Sequence, residues 1–497
     1  LDAAAPSFDE AWYLETSFKL WHALAEGRLL DLAGEYSAAF RFKAPLVSVL
    51  PLPLYALLGP SYDAAVLSNL PALPLLALAL YGLGRRLFSE TAGGLAAALA
   101  LAFPLGASLS RQFFVESWLT ALTAAFLWRW AEPDCLRRPA EAARLGGLLG
   151  LGLLSKVTFP LQLAGPVALG LRDKRPQEGP VKVLLATAGL IALTWYGLNL
   201  VYVTGYAFQA AYGGIGAHYA SAPPWAPAAL YRFFVTFCRA GLGYPAAVLL
   251  PVSLLLLGRR AWTEPGLRFA LAWLLPPLLL VAASQAKDLR FTAAALPGAA
   301  LALAGALDIL TRGRRGRTAL LAAAAALSWS GFALQAAGRA PALTGSPYGG
   351  APRPAPPWDS AALAGALAAA AGPGAVIVVG TEHPQLNANL LSAWGARDRL
   401  PVSFIHYGHM EGRVENAVAR LSEKNATHLV FVDGLPPQEV GPNVAALDAA
   451  LKVLIRRGLL PFRRQAGIPI DGDFAAELWR RTGPIRMFGS PVAIIAR

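Results

Sequence analysis

The sequence predicts a polytopic α-helical membrane protein with outer amphipathic interfacial helices and a C-terminal extracytoplasmic α/β domain. Composition is the first observation: 56% of the 497 residues are hydrophobic and only 15% charged. Soluble domains carry about a quarter charged residues, and mean hydropathy here is +0.46. The second is a series of uncharged runs, among them 183–203, 242–257, 269–285, 291–307 and 318–338. Each reaches or approaches the ~20 helical residues that cross a ~30 Å hydrocarbon core. The third is the grouping of Arg and Lys into short segments between such runs. The net charge of +13 is then that of cytoplasmic loops rather than of a nucleic-acid-binding surface.

The basic groups are Arg85–Arg86; Arg137, Arg138 and Arg144; Arg172 to Lys182; Arg259, Arg260 and Arg268; and Arg312 to Arg317. With all of them on the cytoplasmic side, neighbouring groups are joined by even numbers of spans. Ten spans result: 62–84, 91–108, 118–131, 145–155, 157–171, 183–203, 240–257, 269–283, 291–311 and 318–336. Residues 1–61 then form a first outer loop, 62–336 the transmembrane domain, 337–358 a Pro/Gly linker and 359–497 the outer domain. In the first loop, Leu14, Phe18, Trp21 and Ala25 share one helical face, which predicts a helix on the membrane surface. The apolar stretch 45–58 is too short for a span and reads as interfacial or re-entrant. An outer start with neither an initiator Met nor a signal peptide predicts that a first span precedes Leu1. In the outer domain, 375–380 and 428–432 read as buried strands, and 414–424 and 444–457 as helices.

Most of the unusual polar residues fall in the outer segments, and no ionisable residue falls at a span centre. Ion-coupled transporters usually place such residues there. Asp9 and Glu10 open the first helix; Ser7 and Glu10 have capping-box spacing, and Asp9 suits the positive end of the helix dipole. Lys43 precedes Ala-Pro-Leu, Arg111 and Glu116 share the second outer loop, Lys156 stands between two short spans, and Lys287 and Arg290 share a tight outer loop. Five basic residues on the side that positive charge usually avoids point to an anion site at the membrane surface. His218, in a Gly-rich outer loop with aromatic neighbours, is a candidate sugar or acceptor contact, or a loop histidine without special role. His383, His406 and His409 lack a recognised metal spacing, and Cys135 and Cys238 match no metal or redox motif, so no metal is expected.

In order, an Asp-Glu pair opening an outer helix, Lys-x-Pro-Leu, Ser-Arg followed by an acid and Leu-Thr, and a lysine loop resemble the GT-C glycosyltransferases. More narrowly they are similar to the protein O-mannosyltransferase and lipid A aminoarabinose transferase group, over about residues 6–310. Lys43-Ala-Pro45 stands where that group often has Lys-Pro-Pro, Glu116 where it often has Asp, and Lys156-Val-Thr158 where it often has Lys-Gly-Pro. The resemblance implies an inner-membrane enzyme with its active site on the extracytoplasmic side. It implies transfer of a hexosyl or pentosyl group from a polyprenyl-phosphate donor to a lipid, glycan or protein acceptor. Asp9 takes the position of the catalytic base, and Lys43 that of a lysine near the donor phosphate. The chemistry agrees: a carboxylate can deprotonate an acceptor hydroxyl, and Lys43, Arg111, Lys156, Lys287 and Arg290 would stabilise the leaving phosphate. Single displacement inverts the anomeric centre; Glu10 and Glu116 are supporting acids, and Glu116 is alternatively a nucleophile or a divalent-cation ligand. No cofactor is required. The competing readings are a transporter or flippase of lipid-linked glycans, which needs no base at Asp9, and a non-catalytic membrane scaffold.

Overall fold

The computed structural model describes residues 3–39, 41–171, 174, 176–220, 222–313, 315–337, 353, 355, 358–383, 386–408, 412–432, 442–471 and 474–485. The chain divides into two compact units: the first contains 30–54 and 63–352, the second 2–29, 55–62 and 353–497. Most of the predicted linker 337–358 lies outside the described residues.

The first unit is helical, and this is a multi-pass membrane protein. Among the described residues five helices are long and apolar enough to cross a membrane, and two bent helix pairs bring that to as many as seven. A helix lies over each of the ten predicted spans, though several, such as Pro139–Ser155 and Phe159–Leu171, fall short of the length test. Both bends have identifiable chemistry. Glu90–Ala102 and Pro104–Ser110 meet at 63°; Pro104 has no N–H to continue the ladder and holds Phe103 extended at φ −65°, ψ 128°. Pro227–Leu242 and Tyr244–Leu257 meet at 107°. There a π-helical turn, Phe237–Leu242, ends on Gly243 at φ +79°, ψ 153°, a conformation essentially confined to glycine. A Cβ on Gly243 would sit 3.4 Å from the Pro104 ring, so the two bends touch.

Small residues bring the helices close, as at Gly84, where a Cβ would lie 2.6 Å from the Gly93 Cα. One end of the unit is tied by Asp308, fully buried. It accepts from Ser89 Oγ at 2.7 Å, binds Arg317 and pairs with Arg312 at 3.4 Å. The segment 30–54 packs on this unit: Ala44 lies in a cluster with Leu154, Trp195 and Tyr196, and Asn199 Nδ2 donates to the Ser37 carbonyl at 2.8 Å. The predicted apolar segment 45–58 forms two short helices, Leu46–Val49 and Leu52–Leu58.

The second unit is built on a five-stranded sheet: β1 (Ala375–Val379), β2 (Val402–Ile405), β3 (His428–Val432), β4 (Phe462–Asp471) and β5 (Phe474–Arg481). The order is β2-β1-β3-β5-β4. β2, β1 and β3 are parallel and connected through helices; β3, β5 and β4 pair antiparallel. Val378, Leu429, Phe431, Leu447 and Leu451 form the core of this layer. The predicted strands and helices are present, with Val414–Glu423 and Pro442–Arg456 as the observed helices. β2, β4 and β5 went unread. The first helix, Phe8–Ala25, belongs to this unit. The face expected to lie on the membrane is instead buried at Leu14 and Phe18, with Phe18 5.6 Å and Trp21 6.1 Å from the Tyr55 ring centroid.

Candidate functional site

In the first unit the cationic loops converge. Lys156 ends the helix Pro139–Ser155 as its C-cap, and Glu116 opens Glu116–Trp130 in the first turn, where a carboxylate suits the helix dipole. Lys156 Nζ stands 2.9 Å from Glu116 Oε1; the Glu116 side chain is 2% exposed and that of Lys156 23%. Lys156 Nζ also lies 4.5 Å from the Phe291 ring centroid. Arg290 lies 5.3 Å from the same ring and 4.9 Å from that of Phe114, with Asp288 Oδ2 3.0 Å from its Nε. Two cations therefore share one aromatic ring. Lys287 donates to the carbonyls of Ala282 at 2.6 Å and Ser284 at 2.5 Å, capping the end of the helix Pro265–Ala283. Burial holds its ammonium below the ordinary lysine pKa. Lys43 precedes Ala44, which packs with Leu154 two residues ahead of Lys156.

Arg111 and Glu116 line one cavity of about 280 Å³. The lining combines these two residues, Ser117 and Thr120 with Leu76, Leu296, Trp329 and Phe332. Glu116 Oε2 and Ser117 Oγ are buried with no hydrogen-bond partner among the described residues. Buried polar atoms are nearly always satisfied, so two such atoms in one cavity wall mark a place for hydrogen-bonding matter. The cavity wall is mixed in polarity, and one Glu116 carboxylate oxygen is held by Lys156.

Asp9 and Glu10 belong to the second unit. Asp9 is half-buried and Glu10 fully buried. Glu10 takes the capping contact its spacing predicts: Oε2 accepts from the Ser7 N–H at 2.9 Å and the Ser7 hydroxyl at 2.7 Å. Two further partners were not foreseen. The Tyr62 hydroxyl donates to Glu10 Oε1 at 2.5 Å, and Arg353 Nη1 donates to Oε2 at 3.1 Å. The only advance sign of Arg353 was a lone cation in a proline-rich stretch. Ser117 and the rings of Phe114 and Phe291 were equally missed. His218 lies on the helix Gly214–Tyr219, with its side chain outside the described residues, as is all of His409. His383 packs its ring 5.2 Å from Trp358. No group of three or more His, Cys, Asp or Glu fit to hold a metal occurs among the described residues.

Comparison with known proteins agrees with this architecture. A family model described as dolichyl-phosphate-mannose-protein mannosyltransferase matches residues 33–196. No curated protein matches the chain in a sequence search. Among solved structures, ArnT from Cupriavidus metallidurans in the apo state is similar at TM-score 0.61 and 15% identity, covering 96% of this chain and 94% of that one. The same protein bound to undecaprenyl phosphate aligns at TM-score 0.59 and 15% identity, covering 96% and 95%. Arabinofuranosyltransferase AftD from Mycobacteria aligns at TM-score 0.53 and 16% identity, over 98% of this chain and 41% of that one. These are GT-C glycosyltransferases, and the fold of this chain is theirs.

Proposed function

Starting from the GT-C fold, we propose that this protein is a membrane glycosyltransferase that moves a sugar from a polyprenyl-phosphate donor to an extracytoplasmic acceptor, with inversion. The observation that carries the proposal is the cavity lined by Arg111, Glu116 and Ser117 together with apolar side chains, with Lys156 on Glu116 and Arg290 on the ring that Lys156 also touches. An isoprenoid suits the Leu, Trp and Phe wall, and a phosphate suits the cations. The ArnT structure with undecaprenyl phosphate supports the choice of lipid.

In the reaction, the acceptor hydroxyl oxygen attacks the anomeric carbon while its proton passes to the Asp9 carboxylate. The bond from that carbon to the phosphate oxygen breaks, and polyprenyl phosphate leaves as an anion. Lys156, Arg290 and Arg111 stabilise the charge that accumulates on it. Glu116 and Ser117, both in the cavity wall, are the proposed contacts for sugar hydroxyls. The distribution of the basic loops supports an outward-facing site.

The test is to incubate purified protein with polyprenyl-phosphate sugars and candidate acceptors and to measure release of polyprenyl phosphate. Asp9→Asn should keep donor binding and lose at least ~10²-fold in turnover, the usual contribution of a positioned base. Donor binding without acceptor-dependent release in the unaltered protein would identify a carrier instead.

A further inference from the structure

The second unit is assembled from three separated stretches of chain. The chain leaves it after Leu29, returns for Tyr55–Tyr62, leaves again for 290 residues of the first unit, and re-enters at Arg353. The residues at these last two crossings meet on one atom group. Tyr62, the last residue before the long excursion, and Arg353, the first after it, both bond Glu10, and Arg353 Nη2 donates to the Tyr62 hydroxyl oxygen at 3.0 Å. With Ser7, the buried Glu10 carboxylate accepts from three residues on three stretches of chain. The Ala3 N–H adds a bond to the Arg353 carbonyl at 3.1 Å.

The position of this knot gives it a consequence. Glu10 is the third residue of Phe8–Ala25 and Asp9 the second. The first turn of a helix has no intrahelical partners for its N–H groups and frays unless held. Here it is held through Glu10 from two directions, which sets the rotation of the turn and so the direction of the Asp9 side chain, about 100° away round the helix. A catalytic base must be placed to within about 0.5 Å to work well. We propose that the Glu10–Tyr62–Arg353 clamp is the positioning device for Asp9, so that transfer depends on the residue at which the chain re-enters the second unit. This rests on the assignment of Asp9 as base.

The variants are Tyr62→Phe, which removes one hydroxyl, Arg353→Gln and Arg353→Lys, each compared with Asp9→Asn in the full-length protein with a polyprenyl-phosphate sugar. Tyr62→Phe and Arg353→Gln should lower kcat about 10- to 100-fold, the scale of a misplacement of about 1 Å, while donor Kd stays unchanged. Arg353→Lys should recover part of that loss. Adding Tyr62→Phe to Asp9→Asn should cost nothing further in residual turnover, because the clamp acts through Asp9. If Arg353→Gln fails to fold, Tyr62→Phe carries the test. Normal kcat per folded molecule in Tyr62→Phe, or losses that multiply in the double variant, would overturn the clamp while leaving the transferase assignment intact. Normal turnover in Asp9→Asn removes the base assignment itself, whatever the clamp variants do.

Discussion

Lys156→Met separates the ion pair with Glu116 from the donor contact proposed for the same lysine. Its ammonium is the one ion-pair partner of Glu116 among the described residues, at 2.9 Å, and the Glu116 side chain is almost wholly buried. Removing one member of a buried pair strands the other, at a cost of about 3–5 kcal/mol. Lys156 is about a quarter exposed, so solvent screening places the expected loss near the lower figure. The donor contact is a separate quantity: a hydrogen bond to a charged group contributes about 1.5–3 kcal/mol, or about 10- to 150-fold in donor Kd. Glu116→Gln in the same chain distinguishes them. In Lys156→Met/Glu116→Gln no charge is stranded, so the apparent melting temperature in detergent should return most of the way. Donor affinity should not return, because the phosphate has still lost its cation. Both are read on one preparation, by thermal unfolding and by binding of a labelled polyprenyl-phosphate sugar. Donor affinity restored along with stability would show that Lys156 serves only Glu116, and the phosphate assignment would fail.

Asp308→Asn should destabilise the first unit by about 3 kcal/mol, because the buried carboxylate neutralises Arg317 and bonds Ser89; an unchanged melting temperature would show the pairs to be dispensable. His428 donates to or accepts from Thr427 and Gln465, and desolvation holds its pKa below the usual histidine value. The unfolded chain then binds the proton more readily, so the stabilisation is complete above about pH 6.5 and is lost as pH falls towards the folded pKa; His428→Gln should flatten the pH dependence of unfolding between about pH 7.5 and 5.5. Polyprenyl phosphate should displace labelled donor at a lower concentration than unlabelled donor does, and equal potency would count against the cationic site as the seat of the leaving group.

The helical architecture was legible because apolar runs and basic loops are local signals. Each predicted span has its helix, and the bends at Phe103–Pro104 and Gly243 fall on a proline and a glycine visible in the chain. The Ser7–Glu10 contact is local too, three residues apart, and was read from spacing. What escaped notice has large sequence separation. Arg353 is 343 residues from Glu10, and nothing in Pro-Arg-Pro announces a partner. β4 was missed because Phe462–Asp471 carries Arg463, Arg464 and a proline where a buried strand would be apolar; as an antiparallel edge strand it tolerates all three. The first helix was assigned to the membrane surface on one apolar face. Its buried residues include Glu10, Tyr13, Ser17 and Leu20 beside Leu14 and Phe18, so the face that packs against protein is broader and more polar than the apolar stripe read from the sequence.

On the proposed function, the excess of cations over acids among the candidate residues has a use. Lys43, Arg111, Lys156, Lys287 and Arg290 are basic, against Glu116 and Asp288. Glu116 occupies Lys156, Asp288 occupies Arg290, and Lys287 spends bonds on two carbonyls. An intact donor is a phosphodiester with one negative charge. As the bond to the anomeric carbon breaks, the phosphate becomes a monoester, and its charge rises towards the −1.5 to −2 typical of such groups at neutral pH. A site with surplus positive charge binds that later state better than the first. Only interactions that strengthen on the way to the transition state accelerate the reaction. In the proposed reaction the two acids would serve the same end: they would keep Lys156 and Arg290 in place and their charge partly compensated until the phosphate arrives, so that little reorganisation is needed when the anion forms. The cost of the proposed arrangement would fall on product release, because a site that stabilises departing polyprenyl phosphate also retains it.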